Sequence, residues 1–229
     1  MKNILIPTFL SRDTETAVLT AIGASEPESE ILLLIPGESP GDESASAFMR
    51  NMRNSLSAQQ LEILAICRKH AASAGFQLRV HSQAGISGPL VRNLLANMEI
   101  GLVIIPVSFA ARQKPLSKNV VAWLAKSRLP ILRMSESAST EMKNALLLEN
   151  ASGSAGLVEL QQRINRRFPI KIVSQAAVSD HEQSLQKLLR ETINSNEIDV
   201  LVSTRRTENT RNSKTEHDLH HALGLPVLS

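Results

Sequence analysis

The chain repeats itself in order, and that limits the folds open to it more than any single motif does. Met-Lys-Asn followed by an apolar run opens at Met1 and again at Met142. Ser-Gln-Ala, with a further Ser three residues on, occurs at Ser82-Gln83-Ala84 and at Ser174-Gln175-Ala176. Ser-Lys occurs at Ser117-Lys118 and Ser213-Lys214, and each Ser lies thirteen residues before the Pro of a Leu-Pro-hydrophobic-Leu end, at Pro130 and Pro226. Matches that keep their order mark a duplicated unit. The offset between copies falls from 141 at the Lys-Asn to 92 at the Gln, so the second copy is 49 residues shorter between those points. That gap equals one strand, one loop and one long helix. The reading is two modules, 1–137 and 141–229, joined by a small polar link.

Composition narrows the function. Aromatic residues are 3% of the chain and Tyr is absent, so the cores are aliphatic and base-stacking platforms for nucleic acid are disfavoured. A net charge of +3 without a Lys/Arg block argues weakly for a polyanion partner. The single cysteine, Cys67, allows no disulfide within one chain, and its apolar neighbours Ile63, Leu64 and Ile66 read it as a buried structural thiol. The chain enters a strand-like run directly after Lys2-Asn3, and no apolar stretch approaches membrane-spanning length. A soluble, cytoplasmic protein with no membrane or nucleic-acid partner is expected.

Short apolar runs alternate with amphipathic stretches. In the first module Asn3–Pro7, Glu30–Ile35, Gln77–Ser82, Gly101–Pro106 and Pro130–Arg133 read as strands. Thr14–Gly23, Ser57–Ala74 (closed by Gly75), Gly88–Asn97 and Leu116–Ser127 read as helices, and Ser39–Ser46 as a loop. In the second, strands are expected at 145–148, 170–174, 198–203 and 226–228, and helices at 155–167, 180–194 and 214–223. Such alternation predicts an α/β fold: a Rossmann-like, flavodoxin-like parallel sheet with helices on both faces, built in two repeated modules.

The segments MKNILIPTFLS, EILLLIP, AGISGPLV, EIGLVIIPVS and LPILRM, in this order, resemble the universal stress proteins. The resemblance covers Met1 to about Ser137, and more weakly Met142 to Ser229 as a truncated second repeat. It implies a five-stranded sheet of order 3-2-1-4-5, with a nucleotide held, in members that bind one, above the carboxyl ends of strands one and four. Those members carry an Asp after strand one and a G-x2-G-x9-G signature after strand four. Here Phe9 stands at the Asp position, and Pro106 and Phe109 stand at glycine positions. Pro has no N–H, and the bulk of Phe blocks the close backbone approach that a phosphate needs. The resemblance therefore implies a degenerate ATP site, with no cofactor expected. The second module has no Gly in its corresponding STRRTENTRNSK stretch, and Glu149 follows its first strand.

The remaining constellations each carry two readings. Ser117-Lys118 and Ser213-Lys214 read as helix caps, or as anion sites with Lys adding charge. Arg205, Arg206 and Arg211 read as a solvated loop, or as a phosphate or acidic-partner site. His217 and His221 have the i, i+4 spacing of a zinc pair but lack a third ligand, so surface histidines, with His220 and Asp218, are the simpler reading. Gln83 and Gln175 read as strand-edge residues or as crevice lining. No catalytic constellation is present.

These readings converge on a non-enzymatic stress-response or regulatory binding protein working through module pairing and protein partners. Self-pairing through the final strands is expected, within one chain or as a homodimer. The alternative is a small-molecule or nucleotide binder using the strand one–strand four crevice. Its ligand would meet Pro7, Thr8, Phe9, Ile35, Gln83, Pro106, Val107, Ser117 and Lys118 in the first module, and Arg205, Arg206, Ser213 and Lys214 in the second.

Overall fold

A computed structural model describes residues 2–25, 28–37, 56–136, 142–150, 161–162, 164–165, 170–178, 182–203 and 223–229. The chain divides into two compact units, Met1–Ile131 and Leu132–Ser229. Both are α/β, and within each the strands pair mostly in parallel.

The first unit runs β1 (Asn3–Pro7), α1 (Asp13–Gly23), β2 (Glu30–Gly37), α2 (Ala58–Ser73), β3 (Gln77–Ala84), α3 (Gly88–Asn97) and β4 (Ile100–Ile105). It continues with a one-turn α4 (Val107–Ala110), α5 (Pro115–Ala125) and β5 (Ile131–Arg133). β1 pairs in parallel with β2 on one side and β4 on the other, and β2 pairs with β3, giving β3-β2-β1-β4. Winding therefore reverses between β1 and β4, where an open α/β sheet places its crevice. β1 and β4 are apolar throughout because both sheet faces are covered. Leu5, Leu34, Val103 and Ile105 pack with Val91, Leu95, Val120 and Leu124 of α3 and α5. The alternate residues Ile4, Ile6, Ile31 and Leu33 are equally buried, as period-two side chains must be when helices lie on both sides.

Local chemistry sets the helix ends. Ser57 and Gln60 form a reciprocal capping box at the start of α2. Gly75 (φ 80°) ends it: its N–H reaches Ala72 O (3.1 Å) while Phe76 N–H reaches Ala71 O (2.8 Å). Pro115 takes the first position of α5. The expected helices and strands of this unit are present with ends shifted by one or two residues, and α4 is additional. The loop reading for Ser39–Ser46 lies outside the described residues.

The second unit runs β6 (Asn144–Asn150), β7 (Lys171–Val178), α6 (Glu182–Ser195), β8 (Val200–Ser203) and β9 (Val227–Leu228). β6 is flanked in parallel by β7 and β8, and β8 pairs with β9. Leu132 and Arg133 pair antiparallel with Leu228 and Val227. Its core joins Leu146, Leu148, Leu189, Ile198, Leu201 and Val227. The two Ser-Gln-Ala segments take different places in their sheets. Ser82-Gln83-Ala84 ends β3, one strand removed from β1, whereas Ser174-Gln175-Ala176 lies on β7, directly against β6. The outer side of β7 is met by a side chain: Gln161 Nε2 donates to Ile170 O (2.9 Å) and Gln161 Oε1 accepts from Ile172 N–H (2.7 Å). Lys171 N–H turns the other way, to Lys143 O (2.8 Å). The helix expected at 155–167 is described only at 161–162 and 164–165, where it is helical, and most of that expected at 214–223 lies outside the described residues.

Candidate functional site

Residues at the crossover of the first unit bond to one another. After β1 the chain turns through Thr8, Phe9 and Leu10, whose φ is 55°. Thr8 is buried, and its hydroxyl serves two partners: it pairs with Thr14 Oγ1 (2.7 Å) and accepts from Leu10 N–H (2.8 Å). Its backbone N–H continues the sheet to Leu34 O (2.9 Å). The hydroxyl and the N–H of Thr8 are thus both engaged within the protein.

On the other lip, β4 gives way to Pro106 and α4. Ser108 N–H points at Asp13, donating to Oδ2 at 2.8 Å, while Ser108 Oγ donates to Asp13 Oδ1 at 2.6 Å. Ser11 Oγ also donates to Asp13 Oδ1, at 2.8 Å, and the two serine hydroxyls contact each other. A carboxyl group carried on α1 thus sits among donors gathered from both lips, in the place where such a donor set would hold an anion. The sequence reading placed Phe9 where a functional Asp would stand and assigned no role to Asp13. The structure supplies an Asp from four residues farther on, directed at the protein itself.

Aromatic packing also joins the two lips. Phe9 stacks on the buried Phe109 with centroids 5.0 Å apart and planes at 20°. The Arg112 guanidinium lies over the Phe9 ring, 4.2 Å from its centroid. Gln60 Nε2, from the first turn of α2, donates to Phe9 O (2.9 Å). The bulk that argued against a phosphate loop is therefore used to bind the two lips together.

Most of the predicted lining residues of this unit gather here. Pro7, Thr8 and Pro106 are buried, and Phe9, Ile35 and Val107 are half-buried. Gln83 is not brought to the crossover: it lies at the end of β3, beyond β2, bonded to His81 (3.3 Å) and Ala84 O (2.8 Å). The helix-cap reading of Ser117 is corrected. Ser117 is the third residue of α5, buried, and its hydroxyl donates backwards to Arg112 O and Lys114 O, each at 3.1 Å. Lys114 occupies the cap position because Pro115 supplies the first helical residue. Lys118 is exposed on the next turn. Arg205, Arg206, Arg211, Ser213, Lys214 and the His217–His221 group lie outside the described residues. Among the described residues no group of His, Cys, Asp and Glu is arranged to hold a metal, and no helix is long and apolar enough to cross a membrane. Cys67 is buried, and burial, with Glu15 nearby, pushes its thiol up to about 11. A cavity of about 620 Å³ opens elsewhere in this unit, lined by Lys2, Arg92, Leu95, Glu99 and Ile100. It lies at the amino ends of β1 and β4, opposite the end at which open α/β sheets bind ligands.

Asp13, Ser11, Ser108, Gln60 and Arg112 escaped the sequence reading because they meet across long separations, 95 residues for Asp13 and Ser108. A signal was present only in Ser11-x-Asp13 at a helix start, which ordinarily means a cap.

No known family profile matches the sequence, and no curated protein sequence is significantly similar. Solved structures do match. A universal stress protein from Archaeoglobus fulgidus DSM 4304 aligns over 99% of this chain and 95% of its own, at 13% identity and TM-score 0.58. A functionally unknown protein from Pseudomonas aeruginosa PAO1 aligns over 100% of this chain and 92% of its own, at 12% identity and TM-score 0.53. At such identities the agreement is one of fold, and the chain has the fold of universal stress proteins across both units.

Proposed function

We propose that this chain is a non-enzymatic regulatory binding protein of the universal-stress-protein type, with a degenerate nucleotide site, acting through protein partners. The observation that carries this reading is the Asp13 carboxylate, which holds the backbone N–H and hydroxyl of Ser108 at 2.8 and 2.6 Å. A phosphate brought to this lip would meet a fixed negative charge and donors already engaged. At about 4 Å, two like charges at an effective dielectric near 20 repel by roughly 4 kcal/mol. The stacked Phe9 and Phe109 support the same reading, because they occupy space that a base or ribose would need. A stress-response role is supported by the shared fold. Self-pairing through the final strands is part of this reading, because β9 is a short apolar strand of the kind that seeks a partner. A Val227→Lys variant with unchanged stability and oligomeric state would remove that part.

The test is a melting titration with Mg-ATP, ADP, AMP and other anionic metabolites. A ligand that binds only the native state at ~100 times its Kd adds about 2.7 kcal/mol. No shift is expected with any nucleotide. A clear shift with ATP would overturn the degenerate-site reading. A shift with a non-nucleotide anion alone would replace it with the small-molecule alternative.

A further inference from the structure

We propose that the rim of this crossover is a docking surface for an acidic protein segment, gripped by Arg112, Lys114 and Lys118. The proposal deepens the protein-partner reading above by naming the partner's chemistry. From Ile100 to Ser135 the chain contains six Lys or Arg and no Asp or Glu. Three of the six leave from one tight turn. The buried Ser117 hydroxyl ties the carbonyls of Arg112 and Lys114 together, and Lys118 N–H donates to Lys114 O (3.2 Å). All three residues are exposed, and among the described residues no carboxylate forms an ion pair with any of them. The nearby Asp13 is engaged with Ser108 and Ser11.

Among the described residues this arrangement leaves like charges close together without a compensating acid. Lys114 caps α5 and Lys118 lies in its next turn, with no acid in the first turn. The helix dipole adds positive potential at that end, where acids rather than lysines are stabilising. Anionic groups from a partner relieve this repulsion. Arg112 is also pre-positioned. Its guanidinium is laid on Phe9 at 4.2 Å, which orders a side chain that otherwise loses rotamer freedom on binding. A guanidinium held flat on a ring can still offer its N–H edge to a carboxylate in the forked geometry. Nucleic acid fits less well. One face of Phe9 is against Phe109 and the other is under Arg112, so this ring has no free face for a base.

Fluorescence anisotropy of a labelled oligoglutamate peptide against the full chain tests the proposal. Three proteins are compared: wild type, an R112E/K114E/K118E variant, and a K126E/R128E control with charges reversed at the other end of α5. Melting curves establish that all three are folded. Wild type should bind the peptide at low salt, the rim variant should lose about tenfold or more in affinity, and the control should lose far less. Equal losses in both variants, or no binding by wild type, would overturn the proposal. So would tighter binding of a single-stranded oligonucleotide that is lost in the rim variant. A nucleotide-induced melting shift would overturn the earlier reading without touching this titration, so the two failures are distinguishable.

Discussion

Both units open on the same side chain and build different supports around it. In the first, Asn3 Nδ2 donates to Met98 O (2.9 Å), its Oδ1 accepts from Glu30 N–H (2.9 Å), and its own N–H reaches Glu99 O (3.1 Å). In the second, Asn144 Nδ2 donates to Asn196 O (3.3 Å) and Glu197 O (3.2 Å). The turns reached are alike, with Glu99 at φ 47° and Glu197 at φ 49°. Each Asn therefore staples its unit's first strand to the turn that leads into the strand beside it. The repeated Lys-Asn has a physical task in both places. The difference lies two residues beyond each Glu. Gly101 stands where a Cβ would meet Lys2 Cβ at 2.3 Å, whereas Asp199 Oδ2 accepts the N–H groups of Lys143 (2.9 Å) and Asn144 (3.0 Å). One unit closes this corner by backbone contact, the other by a carboxylate. In the first unit, Asn3 also reaches β2 through Glu30 N–H, whereas in the second β7 takes that place beside β6 and Lys171 N–H donates to Lys143 O (2.8 Å).

The sharpest way to break this comparison is to exchange the corners. Gly101→Asp forces side chain into backbone-proximal space and should cost about 3 kcal/mol in chemical denaturation. Asp199→Gly should cost only about 1–2 kcal/mol, the loss of two hydrogen bonds to a charged acceptor. If Gly101→Asp is neutral, the two corners are interchangeable and the contrast fails.

A second test uses the cysteine that only the first unit has. The unfolded thiol ionises near 9.0 and the folded one near 11, so the unfolded state releases its proton first. Stability is unaffected at neutral pH, falls as pH rises from about 9 to about 11, and levels off above, by roughly 2 kcal/mol. Cys67→Ala should flatten that part of the curve in urea melts followed against pH. A wild-type profile without the decline would show that Cys67 is more open than its burial indicates.

Smaller effects refine the stapling. Asn3→Ala leaves Met98 O and Glu30 N–H without partners and should cost about 2 kcal/mol, against about 1 kcal/mol for Asn144→Ala. Equal losses by denaturant titration would mean that the link to β2 contributes nothing. Ser57→Ala removes one half of the capping box of α2 and should cost about 1 kcal/mol, a change of a few degrees in melting temperature.

The fold was legible wherever burial on both sheet faces forced continuous apolar runs, as in Ile4–Ile6, Leu32–Leu34 and Val103–Ile105. The spacing of the repeated segments did not disclose the pairing of β6, because a difference in spacing does not say which strand will lie beside it. At the crossover, the bulk of Phe9 and Phe109 was legible, but the contacts between the lips were not, because Asp13 reads in sequence as an ordinary acid at a helix start and Ser108 as an ordinary loop residue. Ser117 misled for a related reason. Repetition in both copies invited a capping role, while the neighbouring Pro115 moved the helix start upstream and turned the hydroxyl back onto the loop.

Gln161 has a consequence for how the protein behaves in a crowded solution. Its amide offers one acceptor and one donor to Ile172 N–H and Ile170 O, the pair of contacts that a residue of a parallel neighbouring strand would make. It is in effect a strand one residue long, which ends the hydrogen-bonding pattern without offering a continuation. A chain of another molecule seeking this stretch of β7 must first displace an amide already tethered there, at far higher local concentration than any competitor. An added strand would find Ile170 O and Ile172 N–H already engaged, a protection of this stretch that rests on one uncharged side chain.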